Sequence, residues 1–368
     1  MTVAAPLNVL LVGAGSMGSL HARVISQGES THLATVVDPR PEVGGAVAER
    51  FGASWQPEIG SLAGVDAVVV AAATEAHGPL ARQVLEAGVP LLVEKPVTAT
   101  LDETREVLEL SRRRGVPMMC GLLERYNPAV VTARSIVRAP VHVTATRHSP
   151  YAPRILTGVA WDLLVHDVDL AMQFLPGDVD QVEAVVGQFH PSSLPGAEDV
   201  VQASLRFSQG GVASVSASRV GQKKVRDLVI HELDRMIEID LLRRGVTVYH
   251  HVAGEASDEG RGYRQQTVIE IPELTTSREP LAAQLDRFVA LVRGEVDADA
   301  ERDSILPSHT VVARVKEAAA VVGPSVSVER RRAAPAPPGA GPRRARARTA
   351  RGPPAARRHP PGARAPGR

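Results

Sequence analysis

The chain is expected to be an α/β protein: a doubly wound parallel sheet, followed by an α+β unit on an open, mainly antiparallel sheet. Three observations point there. Residues 7–38 contain a strand, a glycine turn that opens a helix, a second strand and an acid. To about residue 122, continuous apolar strands alternate with amphipathic helices, the pattern of a parallel sheet covered on both faces. Beyond Tyr126 the apolar period changes to two, as in a sheet with one face packed on helices.

The first strand is Leu7-Asn8-Val9-Leu10-Leu11-Val12, and Gly13-Ala14-Gly15-Ser16-Met17-Gly18 follows it. Gly13 permits a tight turn, Gly15 lets backbone approach a pyrophosphate, and Gly18 lets helix pack close on strand. The helix start at Ser16 and Met17 turns free N–H groups and a positive dipole end toward phosphate. Val36-Val37-Asp38 ends the second strand, placing an acid 20 positions past the last glycine. That context raises a weak glycine motif to the Rossmann fingerprint of a dinucleotide site. Asp38 is expected to accept from the ribose hydroxyls and to repel a 2′-phosphate, favouring NAD. Arg40, two residues on, softens that preference and keeps NADP as the alternative.

Strands are then expected at Val65–Ala73, Pro90–Val93 and Val116–Cys120, with helices at Pro79–Ala87 and Asp102–Arg114. In the second unit a helix is expected over Gly158–Leu175. Alternating strands follow at Val182–Val186, Val200–Phe207, Val212–Ala217, Asp227–Ile230, Met236–Ile239 and Val246–Tyr249. A last helix, Leu281–Arg293, packs back on the body. The expected division is 1–122 for the dinucleotide unit, 123–328 for the substrate unit, and 329–368 for a tail.

Composition adds exclusions. The net charge of +1 conceals 12 arginines and no acid in residues 330–368, so the remainder carries 30 basic and 41 acidic residues, net −11. The tail is almost wholly Ala, Arg, Pro and Gly and lacks the side chains to build a core, so disorder is expected. Arginine-rich segments can grip nucleic acid, but no aromatic residue is present there to stack a base and the acidic body opposes a polyanion. The lone Cys120 excludes an intrachain disulfide and reads as a small buried residue at a strand end. With no apolar leader, and no apolar run near the roughly 18 residues of a membrane span, a cytoplasmic protein without a membrane partner is expected.

Three segments reach the crevice where the parallel strands end. In Glu94-Lys95-Pro96, Lys95 is placed to donate to a substrate hydroxyl or the nicotinamide ribose, with Glu94 holding its ammonium; the alternative is a solvated ion pair. Glu124-Arg125-Tyr126-Asn127-Pro128 suits a crevice wall, or a simple linker. In the third, Asp162, His166 and Asp169 recur at helical spacing on one face. Imidazole is matched to proton transfer near neutral pH, so His166 is the candidate general base in alcohol oxidation, oriented by the Asp162 carboxylate. No complementary ligand motif supports a metal there. The neighbours Val159, Ala160, Leu163, Leu164, Val165, Val168 and Leu170 are apolar, and burying these polar groups without purpose is costly.

Together, the glycine turn with His21, Thr74-Glu75-Ala76-His77, Glu94-Lys95-Pro96 and Asp162…His166 resemble the glucose–fructose oxidoreductase and inositol dehydrogenase (Gfo/Idh/MocA) family, over residues 7 to 295. The resemblance implies an NAD- or NADP-dependent oxidoreductase acting on ring hydroxyls of sugars and cyclitols. Lys95, Asp162 and His166 would then line its active site, and Thr74, His77 and Glu94 would stand with the cofactor residues. It also implies dimers or tetramers through the open sheet face. Gly121–Val130, Tyr151–Ile155 and Gly158–Asp169 more narrowly resemble the branch of the family that oxidises nucleotide-linked hexoses at the 3-position. That would make Arg125, Tyr126, Asn127 and Arg154 substrate-binding residues, with the two arginines meeting the diphosphate. Inositol and free sugars are the alternative substrates, and a non-catalytic sensor of dinucleotide or sugar is the alternative of another class.

Overall fold

Six parallel strands in the order β3-β2-β1-β4-β5-β6 form the first sheet. The computed structural model describes residues 5–253 and 265–322; the tail expected at 329–368 lies outside the described residues. β1 (Leu7–Val12), α1 (Ser16–Gln27), β2 (Thr31–Val37), α2 (Pro41–Phe51), β3 (Ser54–Gln56) and β4 (Ala67–Val70) come first. Next are α3 (Thr74–Glu86), β5 (Leu91–Val93), α4 (Leu101–Arg114) and β6 (Met118–Cys120). The order reverses between β1 and β4, which is the switch point where ligands bind in doubly wound sheets. All four β4 residues are buried, as a strand covered on both faces requires. Thr100 caps α4 by accepting from the Glu103 N–H, and left-handed Gly115 ends it.

A 3-10 turn (Leu123–Tyr126) and α5 (Pro128–Ile136) lead to β7 (His142–His148). The helix expected over 158–175 is a π turn (Ala160–Leu164) running into α6 (Val165–Phe174). The departure coincides with a contact from a distant residue. The Glu198 carboxylate accepts from the Ala160 N–H at 2.9 Å and its carbonyl accepts from the Val159 N–H. A Cβ on Gly158 would stand 2.4 Å from that carboxylate, so only glycine lets the helix start this close to its anionic cap.

The second sheet adds β8 (Val179–Gly187), β9 (Val200–Phe207), β10 (Val212–Ser218), β11 (Val225–His231), β12 (Arg235–Asp240), β13 (Gly245–Ala253) and β14 (Gln265–Glu270). After α7 (Pro280–Val292), α8 (Ala298–Asp303) and α9 (Leu306–Ala318), β15 (Ala319–Val322) closes its far edge. Its order is β14-β13-β12-β11-β7-β10-β9-β8-β15. Most pairs are antiparallel, but β7–β10 and β8–β15 are parallel, so the sheet is mixed. α6 covers its inner face through Val165, Val168, Leu170 and Ala171, all fully buried. One continuous apolar core runs from Val70 and Val93 through Leu122 to Ala145 and Val215, so the ends of the parallel strands rest on the second layer.

His309 on α9 ties these layers together. Its Nδ1–H donates to the Ile305 carbonyl at 2.9 Å, which leaves Nε2 to accept the Val97 N–H at 3.3 Å. Burial pushes this imidazole down to about 4. The folded ring is therefore neutral where an unfolded one, near 6.5, binds a proton. Stability from this group is whole above pH 6.5, is lost as pH falls, and levels off below pH 4, a loss of about 3 kcal/mol. Urea unfolding at pH 7 and pH 4.5 measures it; His309→Gln, which cannot titrate, will show a shallower pH dependence.

Candidate active site

Gly13 has φ +93°, and a Cβ there would stand 2.5 Å from the Ala71 carbonyl oxygen. A Cβ on Gly18 would meet the Gly13 carbonyl at 1.8 Å, so helix α1 lies directly on its own entry turn. Gly15 differs: a Cβ on it meets nothing within 4 Å. It is the N-cap of α1 and offers no side-chain acceptor to the helix, so the first N–H groups keep their capacity for an external anion. Ser16 is exposed and Met17 half-buried at that end, and Thr74 opens α3 beside it. These residues fit a dinucleotide pyrophosphate.

Asp38 stands at the end of β2, buried, with both oxygens engaged. Oδ2 accepts from the Ala14 N–H at 2.8 Å and from Arg40 Nη2 at 2.8 Å. Oδ1 accepts from the Arg40 backbone N–H at 3.0 Å and from Arg40 Nε at 2.9 Å. Burial pushes this carboxyl up, but those donors outweigh it and hold it below its ordinary value. A carboxylate has about four acceptor positions, and here all are used. Ribose hydroxyls therefore reach Asp38 only where the Arg40 side chain, 55% exposed, swings away.

Lys95, next to β5, crosses to the second layer. Its Nζ donates to the Asp162 carbonyl at 2.5 Å and to Asp162 Oδ1 at 3.0 Å. Burial pushes the Asp162 carboxyl up, and the Lys95 ammonium more than reverses this, keeping it ionised. Glu94 does not hold the ammonium as expected. Its Oε1 is bonded to His21 Nε2 at 2.8 Å and its Oε2 accepts from the Lys95 backbone N–H at 3.3 Å, so it fixes the backbone of the lysine. His77 is buried between the Pro96 carbonyl (2.8 Å) and the Ala72 carbonyl (3.2 Å). It secures the Lys95–Pro96 turn from behind rather than reaching toward a cofactor.

His166 follows the π turn, near Lys95 and Asp162. Its Nδ1 is buried with no hydrogen-bond partner. Burial first, then the charges of Lys95, Arg147 and Arg226, hold the imidazole well below its ordinary value, so it is neutral and can take a proton. Asp169, expected on the same face, instead accepts from Arg125 at 2.8 and 2.5 Å.

That pairing corrects the reading of the junction segment. Arg125 also donates to the Ser304 hydroxyl at 2.7 Å and the Ser304 carbonyl at 2.8 Å, which leaves it no free fork for a diphosphate. Tyr126 packs on the core beneath α7. Asn127 caps α5 through the Ala129 N–H, and its amide donates to Glu124 and to the Leu241 carbonyl. These three residues build the junction, not the crevice. Arg154 is exposed, on a segment whose Ile155 and Thr157 carbonyls accept from buried Arg219. Cys120 is buried at its strand end, and burial pushes its thiol up, away from nucleophilic use.

Sequence reasoning passed over Arg147, the pivot beneath His166. Its Nε and Nη2 bond the Asp167 carboxylate at 2.8 and 2.9 Å, and its Nη1 bonds Glu124 Oε1 at 2.8 Å. A signal was present: Val143, Ala145 and Arg147 alternate in β7, which puts an arginine where an apolar side chain belongs.

A glycine turn against a helix start and a carboxylate at the end of β2 make a dinucleotide-binding fold, and a neutral imidazole stands near the Lys95–Asp162 pair at the same crevice. The chain belongs to the Gfo/Idh/MocA oxidoreductase family. Residues 7–122 match that family's NAD-binding Rossmann fold and residues 129–238 match its C-terminal domain, so the first sheet is an NAD-binding unit. The chain is 30% identical over 285 residues to UDP-N-acetylglucosamine 3-dehydrogenase of Acidithiobacillus ferrooxidans, covering 76% of this chain and 86% of that one. An inositol 2-dehydrogenase of Rhizobium meliloti is 27% identical over 223 residues, 57% of this chain and 68% of its own length. The solved structure of the Acidithiobacillus enzyme superposes with a TM-score of 0.74 at 26% identity, covering 86% of this chain and 98% of that one. Among the described residues, no helix is long and apolar enough to cross a membrane.

The Asp38–Arg40 pair sets the first functional test. NAD is expected to bind more tightly than NADP, and Asp38→Ser to narrow the gap by removing the repulsion of a 2′-phosphate. Arg40→Ala, which frees the carboxylate, widens it. Calorimetric titration of both cofactors measures this; tighter NADP binding by the wild type would show that Arg40 governs the choice.

Proposed function

We propose that the protein is an NAD(P)-dependent dehydrogenase acting on a ring hydroxyl of a sugar, with a nucleotide-linked hexose as substrate. UDP-N-acetylglucosamine, oxidised at its 3-hydroxyl or formed from its 3-keto form, is the specific assignment. The observation that carries the enzyme reading is His166: a neutral imidazole with a partnerless buried Nδ1, near the Lys95–Asp162 pair. A buried ring nitrogen left without a partner costs about 1–3 kcal/mol, and such costs persist where a site has a use for them.

Bound NAD supplies the two-electron acceptor for the carbon-bound hydrogen. The chain supplies the rest. His166 takes the hydroxyl proton as the C–O bond becomes a carbonyl, and returns it in the reverse direction. Lys95, fixed by Asp162, donates a hydrogen bond to the reacting oxygen and stabilises the charge that grows there. Asp162 compensates the ammonium and does not take the proton, because Lys95 keeps it ionised. A sensor has no need of a neutral base beside a held ammonium.

Substrate class rests on the Acidithiobacillus relative, whose likeness extends over most of both chains, and on Arg154. Its planar fork suits phosphate oxygens that a neutral sugar lacks.

His166→Ala is expected to lower turnover about 10²–10⁴-fold with NAD binding intact, the usual range for a lost general base. Lys95→Ala will be comparably damaging and Asp162→Asn less so. Because His166 titrates well below the ordinary histidine range, kcat/KM for oxidation will hold steady down through pH 6.5 and fall only in more acid solution. Near-normal turnover by the His166 variant would remove it from the reaction.

A panel of UDP-N-acetylglucosamine, free N-acetylglucosamine, glucose and inositol, followed by nicotinamide absorbance, tests the substrate. The nucleotide sugar is expected to be the best by kcat/KM, and Arg154→Ala to raise its KM more than that of any free sugar. Inositol or glucose turning over as well would leave only the general sugar-dehydrogenase assignment.

A further inference from the structure

Two strands of the second sheet carry an arginine at a position facing the core, and the strand beside them is followed directly by a third. In β7 the inward series is Val143, Ala145, Arg147; in β10 it is Ala213, Val215, Ala217, and then Arg219; in β11 it is Arg226, Leu228, Ile230. Arg147 pairs directly across from Ala217 on one side and Arg226 on the other. The three guanidinium groups therefore gather at one end of the sheet. Cations at apolar positions need fixed partners, and these three differ in what they have.

Two are committed. Arg147 spends its fork on Asp167 and a further N–H on Glu124. Arg219 holds the carbonyls of Ile155 and Thr157, with Asp199 at 4.0 Å. Arg226 has five N–H donors and one bond, 3.4 Å long, to the Glu124 oxygen that Arg147 already holds at 2.8 Å. Its side chain is 39% open, where that of Arg147 is 2%. Burial and the like charge of Arg147 both disfavour the Arg226 cation and outweigh the support of Glu124, Asp167 and Asp162. An incoming anion would relieve that crowding with bonds the protein does not supply.

We propose that Arg226 is a second anion-recognising residue beside Arg154, donating to a phosphate oxygen of the substrate's diphosphate while the hexose lies at His166 and Lys95. The assignment rests on the nucleotide-sugar reading and gives its diphosphate a ligand that Arg125 cannot be. A guanidinium whose charge reaches His166 would bind only a substrate whose anionic group lies close to the reacting ring, as a diphosphate at the anomeric carbon does.

UDP is the probe, titrated calorimetrically into the NADH-saturated full chain, alongside steady-state kinetics with UDP-N-acetylglucosamine and free N-acetylglucosamine. Arg226→Gln should weaken UDP binding and raise KM for the nucleotide sugar about 10- to 100-fold, the worth of a hydrogen bond to a charged group. KM for the free sugar should stay within about twofold, because that substrate has no group for Arg226; a structural defect would move both. Arg226→Lys keeps the charge beside Glu124, so it tests the fork in a chain spared the loss of a cation. Its UDP binding should lie between the other two. Equal UDP affinity in wild type and both variants overturns the proposal while leaving the nucleotide-sugar reading standing. A wild type that neither binds UDP nor prefers the nucleotide sugar overturns both. Glucuronate binding lost in Arg226→Gln, with UDP binding unchanged, would assign the site to a sugar carboxylate and also overturn it.

Discussion

Everything near the reacting atoms hangs on the buried bonds of Arg147. One side chain joins β7, through its own backbone, to α6 through Asp167 and to the junction turn through Glu124. Asp167 is the neighbour of His166, so the bidentate bond sets the rotation of α6 on the sheet and hence the direction of the imidazole. Glu124 lies three residues before Asn127, whose amide it also accepts, so the same cation fixes where the chain passes from one sheet to the other. A group held this way is not simply stabilising. Its burial costs several kcal/mol before any bond is counted, and removing one partner leaves a stranded charge at a cost of about 3–5 kcal/mol. What the arrangement secures is geometry, since no apolar packing would index α6 so narrowly.

Charge is sorted around that pivot. Asp162 is kept ionised by Lys95, Glu94 by His21, and Glu124 by Arg147 and Arg226, each against the push of burial. His166, part-buried and facing the charges of Lys95, Arg147 and Arg226, is kept neutral. The carboxylates are thereby ionised and the imidazole neutral at the same pH. His77 and His309, also neutral, face carbonyls and a backbone N–H, and their work is to hold the turn that carries Lys95.

Much of this was legible in the sequence because it is local. The glycine turn, the acid after β2 and the period of the apolar strands are each set within a few residues, and strand Val200–Phe207 appears with the bounds expected of it. Lys95, Asp162 and His166 were found by type and spacing, and the fold brings them together. The failures are non-local. Arg125 looked like a phosphate ligand because nothing in Glu-Arg-Tyr-Asn-Pro discloses that Asp169 and Ser304, 44 and 179 residues on, will take its donors. The partner of Glu94 is hidden for the same reason, since His21 lies 73 residues away. The π turn at Ala160–Leu164 depends on Glu198, which no reading of the helix alone would connect to it. Arginines at inward strand positions were the one overlooked local signal.

The filled carboxylate at Asp38 changes what ribose recognition means in this fold. A hydroxyl arriving there exchanges with a guanidinium instead of adding to the bonds already made, and the displaced Arg40 recovers its hydration at an exposed position. Two favourable states of the same acceptor are traded, so little net affinity comes from the adenosine ribose. On the proposed site, the holding of the dinucleotide would fall to the backbone N–H groups at the start of α1, and Asp38 would act as a sieve more than as an anchor.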